Sequence, residues 1–182
     1  MKRLINLCIA LAVLLGTTTA LGHPALGYDV TWTKAKALDY AGDGLYEKYV
    51  FGRGQFRNNN TWDSDEGLDC SGYVAKVWAV DRYTYPMTNY HPYGTYHFYN
   101  GFPYGVFKDR TTAQLLNAWV YRASAGGPSD HMGLFISKNT NGTWKAYEAK
   151  GSAYGVIVSS KSISTLISYN YKRSDRKDWS YS

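Results

Sequence analysis

Val74, Val77 and Trp78 recur at helical spacing within Leu68-Asp-Cys-Ser-Gly-Tyr-Val-Ala-Lys-Val-Trp-Ala-Val80. The pattern predicts an amphipathic helix with Cys70 in its first turn. A shorter helix is predicted over Thr33-Lys-Ala-Lys-Ala-Leu-Asp-Tyr-Ala41, opened by Thr31 or Thr33 and ended by Gly42 and Gly44. After these the period shortens. Ala118–Ala123, His131–Ile136 and Thr143–Ala149 read as strands, with a further strand near Tyr154–Ser159. In the second strand Met132, Leu134 and Ile136 share one face and look like core, while His131, Gly133 and Phe135 share the other. Ala125–Asp130 is a turn, and Lys138-Asn-Thr-Asn-Gly142 is hairpin chemistry. Residues 52–67 and 82–105 show no period and read as loops. Helices first and an antiparallel sheet second is the α+β order. No internal repeat is present, and residues 28–182 form a single domain on this reading.

The one long apolar run comes earlier. Lys2 and Arg3 precede Leu4–Leu15, and the small residues Gly16 to Ala20 follow. Residues 1–22 therefore read as a secretory signal, cleaved somewhere between residues 20 and 27. This places the mature protein outside the cytoplasm, secreted or periplasmic, with no stable membrane association after cleavage. Cys8 leaves with the leader, so the exported chain keeps only Cys70 and forms no internal disulfide. The 182 residues are 45% hydrophobic and 19% charged, enough apolar material for a packed core. That balance excludes a disordered chain, a polytopic membrane protein and a disulfide-rich miniprotein. Formal charge falls from +6 to about +4 without the leader, too small and too scattered for a nucleic-acid partner. Lys172, Arg173, Arg176 and Lys177 read as a solvated basic tail.

Cys70 is the chemically informative residue. A thiol attacks as thiolate, and a helix N-terminus and a nearby imidazolium both lower its pKa. Asp69 fits the N-cap, accepting from Ser71 or Gly72, and leaves Cys70 against unpaired backbone donors that can also hold an oxyanion. Ser71 and Gly72 are small enough to let a substrate backbone approach. Among the four histidines, His23 lies near the cleavage point, and His91 and His97 lie in the Tyr-rich loop. His131 opens a strand, and Gly133 is expected to leave open space beside its imidazole. Hairpin register then tests a third member. With Asn139–Gly142 as the loop, Lys138 pairs with Thr143, and Glu148 faces Gly133, diagonal to His131. A two-residue Asn141-Gly142 turn keeps the face but moves Glu148 four positions away, and a three-residue loop turns it to the wrong face. Asp130, adjacent to His131, points away and is the weaker orienter. Trp62-Asp-Ser-Asp-Glu-Gly67 reads as a solvated turn or as a site for a substrate amine. Tyr83–Tyr104 reads as packing over the sheet edge or as a surface that stacks on sugar rings.

At these residues the chain resembles the NlpC/P60 cysteine peptidases. Asp69-Cys70-Ser71-Gly72 matches their Asp-Cys-Ser-Gly motif, His131-Met132-Gly133 their His-x-Gly, and Glu148-Ala149 the position of their third polar residue. Tyr49-Val50-Phe51-Gly52 is similar to their upstream Tyr-x-aromatic-Gly element, and the resemblance spans roughly residues 34–150. The chain differs in carrying Glu148 where His, Asn or Gln is usual, and Asn117-Ala118 where Gly-Asp is usual. The resemblance implies a papain-like fold and hydrolysis of peptidoglycan stem peptides by a monomer without metal or cofactor. Cys70 is then the nucleophile, His131 the base and acid, and Glu148 the orienter, with Tyr49, Asp69 and Ser71 at the substrate. The alternatives are an amidase or acyltransferase on another amide or ester, and a wall-binding module without activity that uses Tyr83–Tyr104 and the basic tail.

Overall fold

The computed structural model describes residues 32–51, 62, 68–80, 94–101, 112–123, 129–176 and 179. The expected leader, His23, His91, the acidic residues 63–67 and Lys177 lie outside these residues. Helix α1 spans Lys34–Asp43, with Thr33 as N-cap accepting from the Lys36 N–H and Gly44 as C-cap. Helix α2 spans Cys70–Val77. The strands are β1 Ala118–Tyr121, β2 His131–Lys138, β3 Trp144–Gly151, β4 Gly155–Lys161 and β5 Lys172–Ser174, with α4 Ile163–Ser168 between the last two. They form one antiparallel sheet in the order β4-β3-β2-β1-β5, so the molecule is α+β. Among the described residues no helix is long and apolar enough to cross a membrane.

The sheet is covered on both faces. On one side Met132, Leu134 and Ile136 join Cys70, Val74, Val77 and Trp78 in the main core, as the alternation along β2 predicts. On the other, Trp119, Phe135, Leu166 and Tyr171 form a second cluster, to which α4 contributes Leu166. Helix α2 differs from the amphipathic helix expected, because all eight of its residues are buried. Its polar side is covered too: the Trp62 ring stacks on Tyr40 and Tyr73, and the Lys76 ammonium lies 4.8 Å from the centre of that ring. A cation held over an indole face keeps favourable electrostatics without water.

Two further expectations are corrected. Within residues 82–105, read as a loop, Thr95–Tyr99 forms a short helix, α3. Its Phe98 is buried against Trp78, and the His97 ring accepts from the Gly94 N–H. Tyr96 of the same helix is instead exposed. Of the residues read as a solvated basic tail, the two arginines are buried. Arg173 and Arg176 are 3% and 0% exposed. Arg173 makes a bidentate pair with Asp175 at 3.0 Å on both arms and donates to the Thr112 carbonyl and hydroxyl. Arg176 and Trp179 both donate to the Trp32 carbonyl, which ties the end of the chain to the start of α1. Charge count along a sequence does not distinguish a tail from a strand whose arginines find buried partners.

Candidate active site

Asp69 builds the start of α2. Its carboxylate accepts from the Gly72 N–H at 2.8 Å and from the Ser71 hydroxyl at 2.9 Å. The N-cap is therefore as expected, while the Ser71 side chain is buried and turned to Asp69, and neither Asp69, Cys70 nor Ser71 lines the cleft described below. Tyr49 reaches the site through a parallel bridge to Leu68, one residue before the cap. The segment carrying it is stitched to β4: the Tyr46 N–H donates to Val156 and the Val156 N–H to Glu47. Gly155, at φ +65°, permits this approach, since a Cβ there would collide with the Glu47 carbonyl.

His131 is the first residue of β2 and faces Tyr121 across the ladder. The β2–β3 hairpin solves the register in a way the loop alone does not reveal. Lys138 pairs with Trp144, not Thr143, so five residues form the connection. Continued unbroken, that register would put Glu148 on the wrong face. A bulge between Phe135 and Ser137 inserts one residue and restores it, with Leu134 opposite Tyr147. Glu148 therefore arrives beside Gly133, and its Oε2 lies 2.7 Å from His131 Nε2. The carboxylate is 1% exposed and the imidazole side chain 15%. Asp130 turns elsewhere, accepting from Arg122, Ala123 and Thr95.

Gly133 does not leave open space, contrary to the sequence reading. A Cβ there would lie 2.7 Å from the Trp119 ring and from the Tyr147 carbonyl, and 2.9 Å from the Glu148 Cβ. The absent side chain lets the indole and the carboxylate close over the strand. Gly133→Ala should cost about 1–3 kcal/mol, because the Tyr147 backbone cannot yield as a flexible side chain would. A denaturant midpoint equal to the parent's would show that the sheet relaxes freely at this position.

The thiol is placed from the opposite side. Cys70 is 7% exposed within the main core, and the backbone N–H groups of Met132, Ser71 and Cys70 itself act on its sulfur. The sulfur thus meets β2 one residue from His131. Its pKa departs from the expectation. Burial, and then the Asp69 charge, push the thiol up to about 12 against the opposing pull of those N–H groups. The helix start supplies the donors, but desolvation outweighs them. Tyr49 and Tyr121 are also raised to about 12, mainly by burial, and both feel the Cys70 charge. Their hydroxyls stay protonated donors at neutral pH.

Glu148 moves the other way. Burial alone would raise it, but the His131 hydrogen bond and the Lys161 ammonium outweigh burial and bring it to about 2. Since this value lies below the ordinary 4.5, Glu148 stabilises the fold above pH 4.5 and loses that contribution as pH falls toward 2. The difference corresponds to about 3 kcal/mol. Melting temperatures measured from pH 6 to pH 2 should fall most steeply in this window for the parent, and less steeply for Glu148→Gln. Parallel profiles would place the acid transition elsewhere.

His131 and Glu148 open onto a cleft of about 400 Å³, whose walls also include Tyr49, Phe51, Tyr121 and Lys161. Tyr121 and Lys161 escaped the sequence reading. Nothing local marks Tyr121 among so many tyrosines, and only the strand ladder brings it opposite His131. Lys161 lies 13 residues beyond Glu148 yet holds both its oxygens, at 2.8 Å and 2.9 Å. Among the described residues no group of three or more His, Cys, Asp or Glu side chains could hold a metal ion. No protein-family model matches this chain, and no curated protein is significantly similar to it.

Proposed function

We propose that this protein is an exported cysteine hydrolase of the papain-like NlpC/P60 type that cuts peptide bonds in peptidoglycan stem peptides. The observation that carries the reading is the buried Glu148 carboxylate bonded at 2.7 Å to His131, on the strand whose next N–H acts on the Cys70 sulfur. An ionised carboxylate only accepts, so His131 Nε2 carries the hydrogen and Nδ1 is left with its lone pair as the base. The motif resemblance supplies the substrate class.

The chemistry follows from these groups. At rest the sulfur is a thiol, because burial holds its proton. As sulfur attacks the substrate carbonyl, Nδ1 takes that proton and the C=O electrons move to oxygen. Glu148 stabilises the imidazolium that forms. The Cys70 N–H and the Tyr49 hydroxyl are the donors for the oxyanion. The imidazolium then protonates the departing amine, leaving a thioester. Water, deprotonated by the same imidazole, releases the acid and restores the thiol.

The test is digestion of purified peptidoglycan, with mass analysis of the soluble fragments. New amine and carboxylic acid ends at one stem-peptide bond are expected. Retention on the wall without fragments would replace this reading with the binding module, which the burial of Cys70 favours. Fragments joined to an added amine would indicate acyl transfer.

A further inference from the structure

Lys161 is positioned in a way that packing alone does not require. In the β3–β4 ladder Glu148 is opposite Ile157, and Lys161 is opposite Trp144, four residues along the strand. Its side chain reaches back along the sheet face, with Nζ 4.5 Å from the centre of the Trp119 ring, to meet both Glu148 oxygens. Ordering a long flexible side chain in this way costs rotamer entropy. The Trp119 ring also packs edge-on against His131 at 5.3 Å, so one indole supports both cations that share the carboxylate.

We propose that Lys161 is a positioning residue of the catalytic site, dividing the charge of Glu148 so that the carboxylate orients His131 without trapping it as imidazolium. The kinetic half of this inference rests on the hydrolase reading above, and the electrostatic half does not. A buried carboxylate with a single cationic partner drives that partner to stay charged, because nothing else compensates it in a medium of low dielectric. A permanently protonated imidazole cannot accept the thiol proton. With the ammonium already on Glu148, the imidazole faces a nearly neutral pair, and the carboxylate still fixes its tautomer.

Other charged and titratable groups around the site act less directly. Asp130 is paired with Arg122, and Lys150 lies over Tyr154. Tyr49 and Tyr121 stay neutral to about 12, as does the Cys70 thiol, and Asp69 caps α2. Glu148, bonded to His131, and Lys161, paired with Glu148, are therefore the charges that the titration below probes.

The experiment is an NMR titration of the His131 imidazole in the intact chain, for the parent, Lys161→Met and Lys161→Arg, together with the pH dependence of kcat/KM. Methionine keeps a long apolar side chain over Trp119 and removes the charge. Lys161→Met should raise the His131 midpoint by about one pH unit or more and shift the acid limb of kcat/KM by the same amount, while Lys161→Arg restores both. One unit is a tenfold loss of rate on the acid limb. If Lys161→Met does not fold, Lys161→Gln gives the same readout. An unchanged or lowered His131 midpoint overturns the proposal and leaves Lys161 as packing. A raised midpoint in a chain that hydrolyses nothing upholds it and sinks the hydrolase reading instead.

Discussion

Cys70→Ala should abolish release of peptide fragments from purified wall, with kcat falling on the order of 10⁴-fold or more. The loss is large because nucleophile, base and orienter act as a unit, and without sulfur no thioester forms. The fold should survive, since alanine removes one buried atom and keeps the N-cap that Asp69 provides to Gly72. A circular dichroism spectrum matching the parent's would establish that the loss is chemical. Equal fragment release by the variant would end the thiol mechanism. The parent thiol itself should alkylate slowly at neutral pH and faster as pH rises toward 12, because burial keeps it protonated until a substrate and the imidazole act together. Rapid alkylation near pH 7 would contradict that account.

Asp175→Ala should produce the largest loss of stability, about 3–5 kcal/mol. Arg173 is 3% exposed, and both arms of its guanidinium that face Asp175 would lose their acceptor. The Thr112 carbonyl and hydroxyl would remain as its partners, and neither carries charge. An uncompensated guanidinium in that position is expensive, whereas removing both charges is not. The double variant Arg173→Met/Asp175→Leu should therefore recover much of the loss. Denaturant unfolding of the three proteins gives the comparison directly. If Asp175→Ala shifts the midpoint by no more than a surface substitution does, the C-terminal residues contribute little to the fold.

Much of the architecture lies in local pattern. The spacing of Val74, Val77 and Trp78 marks α2, Thr33 and Asp69 mark the two helix starts, and the alternation through Met132, Leu134 and Ile136 marks the buried face of β2. These features are legible because each depends on neighbours within a turn or a strand. Cys70, His131 and Glu148 are each marked in the sequence by their motifs. What brings Glu148 to His131 is not. The register of Glu148 depends on a five-residue connection and a compensating bulge, and either alone would have turned the carboxylate away from His131. The Cys70 pKa depends on desolvation, which only the packed core determines. Gly133 looks like empty space in sequence and proves to be filled by Trp119 from another strand. Lys161 and the Arg173–Asp175 pair take their meaning from groups far away in the chain or across the sheet. Residue type and spacing thus determined which groups this protein could use. Burial and long-range pairing decided their charge and their partners, because electrostatic energy in a protein interior depends on the surrounding dielectric, and no sequence window contains it.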